Sequence, residues 1–338
     1  MKILSHLEKL FKVRPLVFGC DVSDHSIRLA HLREERGSLT LAGFASVPLS
    51  EGAVVNGTII DMPKTLGALQ EALKTAKGEG IRTKYVMASL PEPQSFIRIV
   101  QLPKMAYGEI VQAIIWEIEA NIPLPLAEVY YDWEVAGQST EDHLDILVAA
   151  APKVLVDSYV ALFGQADLKP IGLEIDALSA ARSIIPAKAG EETTLIIDVA
   201  YHRTTFIIHA ASLVRFTASV PIAGKDIMSA SLRTTAKTLA GYIRQYIDFF
   251  QTHSAHAHVS RVEVKQVLAC GDAAQTPGFI SALAQEAGLP VALANPWVNI
   301  LRPPLREVPM LSYKDSLGYT TVLGLALRGH QEFTSTSS

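Results

Sequence analysis

Two segments half a chain apart carry one pattern, and this duplication narrows the folds open to the chain more than any other feature. Residues 16–32 read LVFGCDVSDHSIRLAHL, and residues 195–209 read LIIDVAYHRTTFIIH. Aligning Asp21 on Asp198 also superposes Val22 on Val199 and His25 on His202. Each block runs on through a second apolar strand and a turn into a third strand, ending SVPL at 46–49 and SVPI at 219–222. Alternating, β-branched-rich runs on both sides of an Asp predict strand–turn–strand. A unit of this kind met twice predicts two similar lobes.

Helical segments lie between and after the copies. Asp61 is placed to cap a helix with Pro63 in its first turn, and Leu66, Leu69, Leu73 and Ala76 form an apolar stripe as far as Gly78 and Gly80. A second helix carries Ile110, Val111, Ile114, Ile115 and Ile118, is stopped by Pro123 and Pro125, and shows Glu109, Glu117 and Glu119 on its other face. Strands at 95–102, 128–135 and 144–150 flank it, and a further helix follows Pro152. In the second half the spacing predicts one long helix from about Asp226 to Gln251, a strand into a turn at 266–273, a short helix from Pro277 to Gly288, a strand in PVALANP, and a last apolar helix over 315–329.

Composition removes several classes. The 338 residues are 49% hydrophobic and 19% charged, which excludes wholesale disorder. A formal charge of −4 lacks the basic balance that non-specific nucleic-acid binding needs. Cys20 and Cys270, both in apolar segments, make no disulfide framework and fit a reducing cytosol. No apolar run reaches the roughly eighteen residues that span a bilayer. Glu8 and Lys9 break any signal-peptide core in MKILSHLEKLFKVRP, whose Ile3, Leu4, Leu7, Leu10 and Phe11 share one helical face among basic residues. That segment reads as a helix packed on the protein body, with an interfacial helix on anionic lipid as the alternative.

Other clusters carry less chemistry. His253, His256 and His258 sit in a polar connector without a Cys or a carboxylate beside them, and read as solvated loop, so no metal site is expected. Asp21 and Asp198 read either as a carboxylate pair facing one cleft or as caps of the turns that follow them. Trp116, Tyr130, Tyr131 and Trp133 concentrate on one segment; at least two are expected in its core, and such a concentration is also what a peptide groove presents.

Strand–Asp–turn–strand met twice, a strand–helix–strand–strand insert in the first half, then strand–Gly-turn–helix, is the element order of the actin-like ATPase superfamily. The insert, with IPLPLAEVYYDWEV after its helix, resembles the PilM branch, type IV pilus assembly proteins related to the division protein FtsA. VPLSEGAVVNGTIID (47–61), RIVQLPKM (98–105), YIRQYIDFF (242–250), LPVALANPW (289–297) and YTTVLGLALR (319–328) match that family's pattern in order. The resemblance implies an α/β, actin-like (ribonuclease H-like) two-lobed fold with a strand–helix–strand–strand (SHS2) insert in the first lobe. Lobe one would span 1–91 with returning segments at about 169–190 and 312–330, the insert 92–168, and lobe two 191–311 with a reduced small subdomain.

The resemblance also implies ATP and Mg²⁺ between the lobes, held at Asp21, Ser23, Ser26, Arg28, Asp198, Thr204, Thr205, Gly271 and Asp272. Phosphate loops need Gly because a Cβ keeps the backbone away from the phosphate oxygens. Here the first loop, DVSDHSIR, has Ser23 for the expected Gly and adds Asp24 facing the polyanion; the second, DVAYHRTT, has Ala200 with Tyr201 and His202 behind it; the third, ACGDAA, has Cys270 and Asp272. Thr204 and Thr205 remain as hydroxyl donors, and Arg28 or Arg203 can pair a phosphate. A carboxylate beside phosphates opposes binding by Coulomb repulsion. The three loops therefore predict weak or lost nucleotide binding and no turnover.

For partners, the resemblance implies a cytosolic adaptor of a type IV pilus or a related competence or secretion machine, at the inner face of the inner membrane. It would clasp the cytoplasmic tail of a PilN-type bitopic inner-membrane protein and link it to the motor ATPase. The alternatives are a nucleotide-switching ATPase of the same machine and a soluble GspL-like secretion component. The partner groove is expected on the insert and not in the interlobe cleft. Ile97, Ile99, Trp116 and Tyr131 would be its apolar anchors, and Glu109, Glu117 and Glu119 would pair the basic residues that positive-inside bias places beside a membrane span.

Overall fold

The two matched blocks fold into two sheets of one plan. In the first, β1 (Val17–Val22), β2 (Ser26–Glu35) and β3 (Ser38–Pro48) are successive antiparallel strands. A short hairpin, β4 (Val54–Val55) and β5 (Thr58–Ile59), follows them, and β6 (Lys77–Gly78) edges β3. Then β7 (Tyr85–Leu90) joins β1 in parallel, and β11 (Lys169–Ile175) joins β7 in parallel. In the second, β12 (Thr193–Val199), β13 (Thr204–Ala210) and β14 (Leu213–Val220) repeat the antiparallel run, and β15 (Val264–Cys270) and β16 (Val291–Leu293) repeat the parallel additions. The orders β3-β2-β1-β7-β11 and β14-β13-β12-β15-β16 are therefore one order. The register agrees too: Asp21 faces Arg28 across the first hairpin, and Asp198 faces Thr205 across the second. The structure, a computed structural model, describes residues 16–35, 37–135, 143–187, 192–228, 232–253, 263–301 and 308–334.

The central strands are largely apolar because helices cover their faces, with Asp21 and Asp198 near the ends of β1 and β12. Leu195, Ile196 and Ile197 are all fully buried, as are Val86, Met87 and Ala88. On the first sheet, α1 (Met62–Thr75) starts as predicted, with Asp61 accepting the Lys64 N–H at 3.0 Å and Pro63 in the first turn. It ends at Thr75, before the predicted glycines, because the chain turns at once into β6. Helix α3 (Lys153–Gln165) shares that core through Tyr159, Leu162 and Phe163. Helix α4 (Asp176–Ile184) lies between the sheets, packing Ala177, Ala180 and Ile184 on Ile196 and Ile207 of the second.

The long helix of the second half is seen as α5 (Gly224–Met228) and α6 (Leu232–His253), with residues 229–231 between them outside the described residues. Helix α7 (Phe279–Ala287) follows, between Gly278 and Gly288. A single turn, α8 (Tyr313–Ser316), leads into α9 (Thr320–Thr334), which covers β1 with Val322, Leu325 and Ala326 buried. His256, His258 and the amphipathic segment 1–15 lie outside the described residues, as does the His253 side chain.

Between β7 and β11 the chain makes a separate layer: β8 (Phe96–Pro103), α2 (Tyr107–Asn121), β9 (Val129–Val135) and β10 (His143–Pro152), with the strands in antiparallel order β8-β10-β9. Its core joins Ile110, Ile114 and Ile118 to Val100, Ile146 and Val148. Of the four aromatic residues read from the sequence, only Trp133 packs on this core, and not the two expected. The isoleucine stripe explains Trp116: two residues from Ile114 it stands on the far side of the helix, 76% exposed. Tyr130 is exposed at the start of α3, under the Lys153 ammonium and 3.3 Å from Asp157.

Candidate functional site

The two Asp-terminated strands bring their turns to one cleft between the sheets. The turn after Asp21 is closed by Ser23, whose hydroxyl accepts the Ser26 N–H at 3.1 Å and donates to the Ser26 carbonyl at 2.9 Å. Capping therefore falls to Ser23 and not to Asp21. Asp21 instead accepts from Ser89 at 2.7 Å, on the parallel neighbour β7. Asp24, read as a charge facing the cleft, does line it, and both its carboxylate oxygens accept N–H groups, those of Asn56 and Gly57 at 2.9 and 2.7 Å. Those N–H groups form the tip of the β4–β5 hairpin, and a carboxylate bonded to two of them is held there.

Arg28 and Arg203, the cations available for a phosphate, are both occupied. Arg28 donates to both oxygens of Asp272 at 2.7 and 2.9 Å and to the Gly318 carbonyl at 2.7 Å. Burial opposes its charge, but the Asp272 carboxylate outweighs that and its pKa is raised. Arg203 pairs with Asp176 at 3.1 Å. The hydroxyls are occupied as well: Thr204 donates to the Ile222 carbonyl at 2.8 Å, and Thr205 is bonded to Ser219 at 2.9 Å. Across the cleft the His25 ring stacks on Tyr201, 3.9 Å between centroids and 10° from parallel, with His202 edge-on to both.

The remaining groups repel one another. Burial, reinforced by Glu92, Asp21 and Asp198, lifts Asp176 to about 7 against the pull of Arg203. Burial, with Asp272 and Asp21 nearby, lifts Asp198 to about 6, and burial raises Asp21 too. Two glycines make the crowding feasible. Gly271 turns at φ +87°, where a Cβ would lie 2.4 Å from the Asp198 carboxylate, and a Cβ on Gly318 would lie 2.3 Å from that of Asp272. The free volume left in the cleft is about 60 Å³. Of the sequence-predicted cofactor residues, Asp21, Ser23, Arg28, Asp198, Thr205, Gly271 and Asp272 line it; Ser26 and Thr204 do not. Sequence reasoning missed Asp176 and Ser89. Asp176 carried a local signal, an acidic residue opening a helix directly after a strand.

A second and larger cavity, about 480 Å³, lies where the insert meets α4 and α9. Leu147 and Ala149 of β10 and Asp132 and Glu134 of β9 line one side, with Leu178 and Leu327 opposite. Glu174 in its wall is buried and neutralised, held by Ser179, by Arg182 at 2.6 Å and by Arg328 at 2.7 Å, which keeps its pKa low despite the burial. The predicted partner residues divide about the insert sheet. Ile97 and Ile99 pair with Ala149 and Leu147 and share the cavity-side face. Tyr131 pairs with Ala150 on the helix-side face. Trp116 and Glu119 stand out from α2, Glu117 is half-buried and accepts from Asn121 at 3.2 Å, and Glu109 is bonded to the Ala106 N–H at the start of the helix.

The family model for the type IV pilus assembly protein PilM matches residues 19–229, more than half of the chain. The chain belongs to the PilM family. Among solved structures, the PilM–PilN type IV pilus biogenesis complex aligns with a TM-score of 0.79 at 21% identity, covering 94% of this chain and 99% of that one. The ethanolamine utilization protein EutJ from Carboxydothermus hydrogenoformans aligns at 0.48 and 12% identity, covering 96% and 97%. MreB 5 of Spiroplasma citri bound to AMPPNP aligns at 0.45 and 11%, covering 96% and 97%. The fold is the actin-like α/β fold of the PilM family, as the resemblance implied. No helix among the described residues is long and apolar enough to cross a membrane.

Proposed function

We propose that this PilM-family chain is an adaptor of type IV pilus assembly at the inner face of the inner membrane, gripping the cytoplasmic tail of a PilN-type bitopic protein. The observation that carries the reading is the cavity of about 480 Å³ where the insert meets both lobes, with His209, Leu213 and Val214 of the second lobe in its wall. Its volume is in the range of ligand sites, about 300–1,000 Å³, and its floor is apolar where Leu147, Leu178 and Leu327 meet. A tail leaving a membrane span is short and extended, and a groove with apolar pockets grips such a segment best. Asp132 and Glu134 on the rim suit the basic residues that accompany a cytoplasmic tail. Ile97 and Ile99, anchors expected from the sequence, stand on the same face of the next strand but do not line the cavity, and Ile97 packs on the core around α4. Trp116 and the acidic outer face of α2 lie on the other side of the insert sheet, and the reading leaves them to a second partner, the motor ATPase.

Recruitment tests this. The full chain, mixed with membranes that contain the bitopic partner, should sediment with them, and membranes lacking the partner should leave it in the supernatant. Sedimentation with both would mean that lipid, and not the tail, is the anchor.

A further inference from the structure

The actin-like fold implies a nucleotide and a metal between its lobes, and the residues of this cleft do not fit them. About 60 Å³ is free there, room for a few waters, whereas ligand sites run to about 300 Å³ and more. The space is taken by side chains that hold one another. Arg28 on β2 is bonded to both oxygens of Asp272, which follows β15 in the other lobe, and to the Gly318 carbonyl. The pair is largely sheltered, with side-chain exposures of 13% and 32%. His25, in the turn after β1, stacks on Tyr201, in the equivalent turn after β12. Arg203 beside Tyr201 reaches Asp176 at the head of α4. Both Asp-turns of the duplicated fold thus contribute to ties that cross the cleft. Among the described residues, no group of three or more acidic, His or Cys side chains is placed to hold a metal ion.

We infer that the cleft is a latch, in which the Arg28–Asp272 pair and the His25–Tyr201 stack stand in place of a bound nucleotide and hold the two lobes closed without one. The carboxylate of Asp272 gives Arg28 the planar, two-oxygen partner that a phosphate would offer. The stacked rings close the gap between the turns that a polyphosphate chain would otherwise need. Nucleotide would have to break both, and would then meet Asp21, Asp198 and Asp272 together. The latch and the cavity beside the insert are separate, so it stands whether or not a tail binds there.

The test is amide hydrogen exchange on the full chain, with and without millimolar ATP and Mg²⁺. In the wild type, exchange at residues 22–28 and 199–204 and the melting temperature should be unchanged by nucleotide. Asp272→Asn should speed exchange in both turns by about tenfold or more through local opening. Tyr201→Ala, a milder change at a partly exposed ring, should do the same to a lesser degree while keeping a cooperative melt. Protection of these turns by ATP in the wild type, or unchanged exchange in both variants, would overturn the latch.

Discussion

Arg28 holds Asp272 through both carboxylate oxygens across 244 positions of sequence, and this contact joins the first strand hairpin of one lobe to the Gly turn of the other. It accounts for several oddities of the turns at once. The added acid of the third loop has a cation waiting for it. The arginine of the first hairpin occupies the register place that Thr205 occupies in the second.

Removing both members should cost less than the two single removals added together. Asp272→Ala leaves the Arg28 guanidinium without its partner in a sheltered site. Because Asp272 is partly exposed, the loss should be about 2 kcal/mol rather than the larger value of a fully buried pair. Arg28→Met with Asp272→Ala should lose less than the two single losses added together. Urea denaturation of the four proteins gives the coupling energy directly, and additivity would show that the pair contributes nothing.

The raised carboxylates set a pH dependence. Asp198 has a folded value of about 6 against 3.8, so the folded state holds a proton that the unfolded chain has released between those values. Its contribution to stability is complete below about pH 4 and is lost as pH rises through 6. Asp198→Asn removes a buried charge and with it the repulsion from Asp272 and Asp21. It should therefore be more stable than wild type at pH 8, by on the order of 1–2 kcal/mol, and nearly equal to it at pH 4.5. Melting curves at the two pH values decide this; a gain of the same size at both would assign the effect to packing instead.

The insert is fastened to the second lobe by one buried ion pair, Arg215 on β14 with Asp145 on β10 at 2.6 Å, which Gln101 also reaches at 2.9 Å. Asp145→Ala should lose about 3–5 kcal/mol, because it strands a charge whose side chain is only 6% exposed. Arg215→Met with Asp145→Leu should recover most of that. Chemical denaturation measures both, and a harmless Asp145→Ala would mean that the insert is held by its other contacts, the Ser219–Glu92 hydrogen bond among them.

Much of this architecture was legible in the sequence, because the repeat is local. LVFGCDVSDHSIRLAHL and LIIDVAYHRTTFIIH each specify a hairpin through their own alternation, and matching them predicted two sheets of one plan. The helix stripes at Leu69 and at Ile110, Ile114 and Ile118 were equally readable. What failed was long range. Asp24 does line the cleft, as read, but nothing near it says that the N–H groups of Asn56 and Gly57 will claim its carboxylate. Nothing near Arg28 points to Asp272. The larger cavity is lined from β9, β10, β11, α4, β13, β14 and α9, segments that no single stretch of sequence relates, and the partner residues expected on the insert lie on both of its faces.

The tail groove is tested most directly by calorimetric titration of a synthetic PilN-type tail peptide into the full chain and two variants that keep its melting temperature. Ala149 is partly exposed on the cavity wall, so Ala149→Asp puts a charge into the apolar groove. Trp116→Ala removes the exposed aromatic ring on the far side of the insert. Saturable binding to the wild type, abolished by Ala149→Asp and changed less than about threefold, or 0.7 kcal/mol, by Trp116→Ala, is the predicted result. Binding that survives Ala149→Asp and disappears with Trp116→Ala would contradict it and move the receptor to the outer face of α2.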